Sequence, residues 1–434
     1  MRCFFRREAS LVLAGATQAE RQSFWGVQMT LTVDTGDPYL RQAEIDDAGL
    51  SAYCHDLFYS FARADQRRWG EAYVRGLLSV PGRKSVRKIS DLVAGGGAEQ
   101  CLQQFVNQST WDYRPVRRDL TYRLFDAIQP QAWVVKEVVF PKNGNRSVGV
   151  AKQFVQSEGR LLNCQLGIAV FLTGQRGSCP VNWRLLLPPA WDEDEARRKR
   201  ARVPAEERYL PTCRHILNAI DEMVTDWGLP PAPIVADIRH HPRVGALARG
   251  LESLGLRYVL RVAENRPAVT VRSAHPAPQT LSFGELVVDS IQRNTTVISR
   301  SHLPAGRYGS SQFIVARMPT ESADAECRAR AGHSAVTPVG HVPHPHSRPP
   351  RYVAAEWSSI RRSVRASWLT TLDALRLPRL PELTTLHDRV DAELEMLYTG
   401  SGLRHFEGRS FPGWHHYVTL VSVAHAWPYL CAGN

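Results

Sequence analysis

Three acidic residues in separate segments could bring carboxylates to one place. Glu137 is the acid in the mostly apolar stretch AWVVKEVVF, Asp237 ends the apolar run IVAD, and Asp391 lies in LTTLHDRVDAELEMLY with three further acids. Carboxylate oxygens are the ligands that Mg²⁺ prefers, and two such ions about 3.5–4 Å apart can activate a water and stabilise the leaving oxygen of a phosphodiester. The pattern therefore predicts a Mg²⁺ (or Mn²⁺) site with Glu137 and Asp237 as two ligands and one of Asp388, Asp391, Glu393 and Glu395 as the third.

The segments that carry these acids resemble two strands and a helix. AWVVKEVVF is β-rich and apolar, as is typical of a strand buried on both faces. After the turn signal KNGN, SVGVAKQFV and LLNCQLGIAVFLT predict two more strands in a sequential antiparallel meander. PAPIVADI, VGALARGLESLGL and RYVLRVAE predict a β-α-β unit over 230–264, and Asp391 lies on a late helix. This order predicts an α/β, RNase H-like core: a mixed sheet with flanking helices on which the three acids converge.

The charge balance favours a polyanionic partner such as nucleic acid, with a basic protein from an arginine-rich proteome as the alternative. The 434 residues contain 54 Lys and Arg against 42 Asp and Glu, a formal net charge of +12. Residues 61–125 contain 12 of the basic and 6 of the acidic side chains. Within this helical region Arg83, Lys84, Arg87 and Lys88 are predicted to contact DNA phosphates, with a solvated helical face as the alternative.

The pattern along the chain predicts five parts. Residues 1–28 are an unstructured extension, with Met29 as an alternative start, and 40–125 form a helical DNA-binding domain. Residues 126–264 form the first part of the RNase H-like core, and 265–350 form a β-rich insertion with a mobile loop. Residues 351–434 complete the core and add the C-terminal helices. His333, His341, His344 and His346 lie in a proline-broken part of the insertion, where a loop is favoured over a metal site.

Several classes of protein are excluded by composition. The eight cysteines are scattered without a CxxC pair, which fits neither a zinc module nor a disulfide scaffold. No stretch approaches the roughly 18 apolar residues of a membrane helix, and we expect a cytoplasmic protein without a membrane partner.

Four stretches resemble DDE transposases of the insertion-sequence-4 superfamily, specifically the 701-type branch of actinobacteria. They are FARADQRRWGEAYVRGLLSVPGRKSVRKISDLV, FPKNGNRSVGVAKQF, PVNWRLLLPPAWDEDEARRKRARVP and HFEGRSFPGWHHYVTL. The resemblance implies a helical DNA-binding region and an RNase H-like core with an insertion before the last acid. It also implies Mg²⁺-dependent cut-and-paste transposition of double-stranded DNA with terminal inverted repeats, carried out by a homodimer.

The acids depart from the pattern of that family. Where its members read Asp-Asp-Thr-Gly before Phe-Pro-Lys, this chain has Lys136 and Glu137 followed by two valines. Asp237 matches the second aspartate, but Arg239-His240-His241 replaces the usual Gly-Tyr-Gly. The resemblance assigns Asp391 as the third ligand, because the glutamate on the late helix of the family aligns with it; the third carboxylate is thus one methylene shorter.

Three functions stay open at this point. The first is an active recombinase that uses Glu137, Asp237 and Asp391, with reduced activity. The second is a domesticated or decayed transposase that binds DNA without cutting it. The third is recruitment of the altered pocket for small-molecule acid-base chemistry, which would use Lys136, Glu137, Asp237, His240 and His241.

The C-terminal stretch HFEGRSFPGWHHYVTL has two interpretations. Glu407, Arg409, Trp414, His415 and His416 could contact DNA or brace the catalytic helix. Aromatic and histidine residues at helical spacing favour packing.

Overall fold

The structure, a computed structural model, describes residues 46–265, 267–271, 279–286, 296–299, 311–318, 349–358 and 363–431. The predicted extension over 1–28, the alternative start at Met29 and the histidine-containing loop of the insertion lie outside the described residues. None of the helices in the described ranges combines the length and the hydropathy needed to span a bilayer.

The first described part of the chain is helical, as predicted. Its helices are α1 (Asp47–Leu57), α2 (Ala64–Ser79), α3 (Val86–Ala94), α4 (Glu99–Asn107) and α5 (Tyr113–Ile128). Side chains cap several of them: Asp46 accepts from the backbone N–H of Ala48, and Ser85 accepts from that of Lys88. Helix α2 ends at Ser79, just before Pro81-Gly82, a pair that cannot continue a helix.

The first two helices lie in a stretch with continuous helical spacing of apolar residues. This spacing runs from 50 to 78, but the chain breaks between α1 and α2. The connecting turn buries Phe58 and Phe61, whose rings stack with centroids 4.8 Å apart. Because these apolar residues of the turn fall at helical spacing, the sequence pattern continues across the break.

A ten-stranded mixed sheet forms the centre of the structure. Its strands are β1 (Ala132–Pro141), β2 (Ala151–Val155), β3 (Arg160–Gly174), β4 (Gly177–Leu186), β5 (Ile234–Asp237), β6 (Tyr258–Val262), β9 (Thr296–Ser299), β10 (Ser311–Arg317), β11 (Tyr352–Ser358) and β12 (Ser363–Thr370). They lie in the order β2-β3-β1-β5-β6-β12-β11-β10-β9, and β4 also pairs with β3. A separate hairpin consists of β7 (Pro267–Val271) and β8 (Gln279–Ser282).

The pairing confirms the β-α-β unit and corrects the meander. β5 pairs in parallel with β6, and β1 pairs in parallel with β5. β1 does not pair with β2, however, because the 15-residue strand β3 lies antiparallel between them. The connection from β1 to β2 leaves room for one strand between them, and β3 then fills that place. Strand propensity is a local property and does not indicate this order.

Helices flank this open sheet. They are α6 (Glu195–Arg200), α7 (Thr212–Asp221), which continues into a π-helical turn, α8 (Val244–Ser253), α9 (Leu380–Thr399) and α10 (Phe411–Cys431). This mixed α/β arrangement is consistent with the predicted RNase H-like fold class. Strands β7 to β10 lie within the predicted insertion, but its boundaries stay a prediction.

Helix α10 is buried on nearly all sides, so it joins the N-terminal helices to the sheet. The Trp111 ring stacks on His416 at 3.9 Å, and the Tyr53 hydroxyl donates to the Val423 carbonyl over 2.9 Å. Trp414 packs edge-on against Phe140 of β1. A helix surrounded by protein needs no polar face, which explains why this stretch lacks an amphipathic pattern.

A buried arginine ties α5 to α10. Arg117 is 1% exposed; its Nε donates to Thr419 Oγ1 over 2.8 Å and its Nη1 to the Trp183 carbonyl over 3.0 Å. Its Nη2 donates to the His415 carbonyl over 3.3 Å, and the guanidinium lies 4.4 Å from the centre of the Tyr113 ring. Burial lowers the pKa of Arg117 to about 10, so the side chain is still a cation at neutral pH.

Arg117→Met should destabilise the fold, because it removes the buried hydrogen bonds of the guanidinium to Thr419 Oγ1 and to the Trp183 carbonyl. We expect the free energy of unfolding to fall by about 3 kcal/mol, measured by urea denaturation. Arg118→Ala, on the same helix but at a 41% exposed side chain, is the matched control and should change it by less than about 0.5 kcal/mol. Equal stability of the two variants would contradict this account.

Candidate functional site

The site lies where β1, β5 and α9 meet. The parallel register pairs Val135 of β1 with Ala236 of β5, so Lys136 and Asp237 are the next residues along each strand. Neighbouring residues at the same level of a sheet point to the same face. The face that carries Lys136 and Asp237 is covered by α9, whose His387 and Asp391 are one helical turn apart.

The Lys136 ammonium bonds β1 to α9. Its Nζ donates to Asp391 Oδ1 over 2.6 Å and lies 2.7 Å from His387 Nε2. An ammonium can only donate, so the Nε2 atom accepts and the ring proton of a neutral His387 sits on Nδ1. That atom faces Asp388 Oδ1 at 3.5 Å and Asp391 Oδ2 at 3.7 Å.

Lys136 is a buried cation in a set of carboxylates. Its side chain is 8% exposed, whereas that of Asp391 is 58% exposed, so the site opens to solvent on the helix side. Burial lowers the pKa of Lys136, and the negative charges of Asp391, Asp237 and Asp388 partly offset that shift.

Asp237 is already neutralised by arginines. Arg239 Nε lies 3.0 Å from both carboxylate oxygens, its Nη2 donates to Oδ2 over 2.7 Å, and its backbone N–H donates to Oδ1 over 3.1 Å. Arg261 Nη1 lies 3.7 Å from Oδ2. Burial alone would raise the pKa of Asp237, but the Arg239 hydrogen bonds and both guanidinium charges outweigh it and lower the pKa.

The ion pairs continue from the site onto the neighbouring strands. Arg365 of β12 lies 3.6 Å from Asp388 and 3.1 Å from Glu356 of β11. The charge network of the site consists of three groups: Lys136 with Asp391, Arg239 and Arg261 with Asp237, and Arg365 with Asp388 and Glu356. The four formal positive and four formal negative charges cancel with neutral histidine, so no further cation is needed for balance.

Glu137 lies apart from the other two predicted ligands. Side chains alternate along a strand, so Glu137 projects from the face of β1 opposite to Lys136. Burial raises the pKa of the half-buried Glu137, and its charge acts on the Cys164 thiol of β3. The structure therefore brings Asp237 and Asp391 around Lys136 and leaves Glu137 on the other side of the sheet.

The two histidines after Asp237 take different positions. His240 is exposed, whereas His241 is half-buried and its backbone N–H donates to the Ile238 carbonyl. Burial lowers the pKa of His241, and the nearby Asp237 only partly opposes that shift. His241 is therefore mainly neutral at pH 7.

The four predicted phosphate contacts divide into two groups. Arg83, Arg87 and Lys88 are exposed around the start of α3. Lys84 is only 5% exposed, and its ammonium donates to the Val80 carbonyl. It braces the end of α2, and it would have to leave that position to reach a phosphate.

The C-terminal stretch is divided in a similar way. Trp414, His415 and His416 are buried in the packing around α10, as the packing interpretation expects. Glu407 and Arg409 are exposed in the segment between α9 and α10.

The residues present do not fit a two-metal site. Ligand atoms of His387, Asp388 and Asp391 lie within 4.8 Å of one another, a spacing that could hold one ion. The Lys136 ammonium, however, bonds directly to two of these three side chains, and Asp237 is enclosed by Arg239. A divalent ion would have to displace both cations, which the charge-balanced network opposes.

His387 was not predicted, although its signal is present in the sequence. It precedes Asp391 by four residues, which places the two side chains on one helical face. A search restricted to acidic residues passes over it. The roles of Arg261 and Arg365 depend on strand pairing and leave no local pattern.

Comparison with known families identifies the superfamily to which this chain belongs. Residues 56–285, just over half of the chain, match the model of the family described as DDE superfamily endonuclease. A search of the curated proteins found none that matches this chain.

Removal of the Lys136 charge should create a metal site. In Lys136→Gln, Asp391 and His387 lose the ammonium that bonds to both of them, so Mn²⁺ should bind and raise the unfolding temperature. At Mn²⁺ about 100-fold above its Kd, the expected stabilisation is about 2.7 kcal/mol. Wild type and the charge-retaining control Lys136→Arg should show no such gain. An equal Mn²⁺-dependent rise in the wild type would show that Lys136 does not exclude the ion.

Proposed function

We propose that this chain, which belongs to the DDE superfamily of endonucleases, binds double-stranded DNA as a transposase-type protein without metal-dependent strand cleavage. The observation that carries the proposal is the position of the Lys136 ammonium, 2.6 Å from Asp391 and 2.7 Å from His387. The positive charge that a bound metal would supply in a DDE endonuclease is supplied here by the chain itself.

The faces of β1 to which Lys136 and Glu137 project support the loss of metal-dependent cleavage. The resemblance leaves Lys136 or Glu137 as the counterpart of the first aspartate. We assign Lys136 to that position, since it shares a face with Asp237 and α9, whereas Glu137 projects to the other face. A carboxylate is thus replaced by a cation where the metal-binding chemistry needs an anion.

The size of the expected effect favours loss of cleavage over a modest reduction. A misplacement of a reacting group by about 1 Å can cost on the order of 100-fold in rate. Here one ligand is a cation, the third carboxylate is one methylene shorter, and Asp237 is held by Arg239. Together these changes remove ligands of the metal ion, which is a larger effect than a shift in their geometry.

The charge of the molecule supports retained DNA binding. The chain has a formal net charge of +12, and Arg83, Arg87 and Lys88 are exposed. Binding of this kind releases counterions and weakens steeply with salt, and it needs no metal. The resemblance to 701-type transposases adds terminal inverted repeats as the preferred DNA and a dimer that acts on paired ends.

A second candidate is a metal-dependent endonuclease of reduced activity. The observation in its favour is the His387, Asp388 and Asp391 cluster, which could hold one ion if DNA binding displaced Lys136. The small-molecule alternative has less support, because three prominent cavities in the described part of the chain are lined by residues other than Lys136, Asp237 or Asp391.

A plasmid assay separates the two candidates. Supercoiled plasmid is incubated with wild type or Asp391→Ala in Mg²⁺, Mn²⁺ or EDTA, and binding to a labelled duplex is measured by fluorescence anisotropy at matched ionic strength. We expect nicking no greater with the wild type than with Asp391→Ala, and equal duplex affinity with metal and with EDTA.

Two results would overturn the proposal. Mn²⁺-dependent nicking that is lost in Asp391→Ala would establish the endonuclease instead. Absence of duplex binding by the wild type at low salt would exclude both candidates.

A further inference from the structure

Three segments that are distant in sequence are hydrogen-bonded into one surface. They are the connection 142–150 after β1, α6 with its exit to residue 202, and the segment 402–410 between α9 and α10. The Val148 N–H donates to the Arg409 carbonyl over 3.1 Å, and the Phe411 N–H donates to the Ala201 carbonyl over 2.7 Å. Arg197 Nη2 donates to the Asn145 carbonyl over 2.9 Å, which completes the link between the first two segments.

This surface presents five exposed basic side chains, which we call the basic ridge: Arg146, Lys199, Arg200, Arg202 and Arg409. Among the described residues, none of the five forms an ion pair with a carboxylate. Of the nearby acids, Glu195 bonds to Arg208 over 2.9 Å and Glu407 to Arg83 over 2.6 Å, whereas Glu193 and Glu206 are exposed on either side of α6. The ridge therefore presents five cations that no carboxylate of the described residues holds in an ion pair.

The backbone beneath the ridge is held in place by buried or stacked groups. The Arg197 guanidinium lies 4.0 Å from the centre of the Trp191 ring, and Trp191 Nε1 donates to the Val150 carbonyl over 3.1 Å. Arg202 donates to the Gln108 carbonyl and to Ser410 Oγ, so part of its hydrogen-bonding capacity is structural. Rigid spacing of cations suits a partner whose own charges are regularly spaced.

The ridge is continuous with other features of the DNA-binding proposal. Segment 402–410 contacts the helical region, since the Lys84 backbone N–H donates to His405 Nδ1 over 3.0 Å. The same segment accepts a hydrogen bond from Lys142, whose Nζ donates to the Phe406 carbonyl over 2.6 Å. Lys142 follows β1 directly, and at about 3.3 Å per residue it lies roughly 20 Å along the chain from Lys136.

We propose that the basic ridge binds the phosphate backbone of double-stranded DNA and leads the duplex from the α3 region towards the Lys136 site. This inference rests on the proposed function, from which DNA is taken as the partner. The inference adds the surface of the protein that binds the DNA. Five unpaired cations on three segments suit a continuous row of phosphates better than a single anion.

The test compares two quadruple variants that lose the same charge. Arg146→Gln, Lys199→Gln, Arg200→Gln and Arg409→Gln neutralise the ridge, and Arg202 is kept because it braces the backbone. The control removes four exposed arginines away from the ridge: Arg160→Gln, Arg176→Gln, Arg214→Gln and Arg249→Gln. Affinity for a labelled duplex is measured in EDTA over a range of salt concentrations.

The slope of log affinity against log salt concentration should become shallower by about 0.9 for each lost phosphate contact. For the four substitutions of the ridge variant the total change is about 3.6. At about 0.15 M salt this corresponds to a loss of affinity on the order of 100- to 1000-fold, with little change in the control. Single variants Arg146→Gln and Arg409→Gln should each reduce the slope by about 0.9 at an unchanged unfolding temperature.

The outcomes distinguish this inference from the one on which it rests. Wild-type binding with an unaffected ridge variant would overturn the ridge alone, as would equal losses in the ridge variant and the control. Absence of wild-type binding at low salt would overturn the proposed function, and the ridge with it.

Discussion

The bond between Lys136 and Asp391 determines how the rest of the site is arranged. It joins the central strand β1 to α9, and it fills the space between carboxylates that would otherwise repel one another. A buried ammonium is stable only with close anionic partners, and a row of carboxylates is stable only with cations among them. Arg239, Arg261 and Arg365 extend the same compensation to Asp237, Asp388 and Glu356, so the site is balanced without a metal ion.

Much of the fold could be predicted from the sequence, because strand and helix patterns are local. The β-α-β unit and the helices before β1 follow from hydrophobic periodicity and glycine positions. The order β2-β3-β1 could not be predicted, since pairing depends on which strand edges meet in three dimensions. The break between α1 and α2 was hidden because Phe58 and Phe61 are apolar residues of the turn.

Two acidic residues of the site were predictable from the sequence, but the side chain of β1 that contacts them was not. Asp237 was identified from its position at a strand end and Asp391 from the resemblance to the family's late helix, and the structure brings both around Lys136. Which of Lys136 and Glu137 faces α9 depends on the register of β1 against β5, and a shift of one residue would exchange them. The family match places the chain in the DDE superfamily of endonucleases, and the basic ridge is the surface that we propose for DNA.

The central claim is that the Lys136 ammonium takes the place of a metal ion. Anomalous diffraction from crystals of the wild-type protein bound to duplex DNA and soaked in Mn²⁺ tests it most directly. The account predicts density for Lys136 between Asp391 and His387, with no anomalous peak among Asp237, Asp388 and Asp391. A Mn²⁺ peak at those carboxylates, with Lys136 displaced, would contradict it.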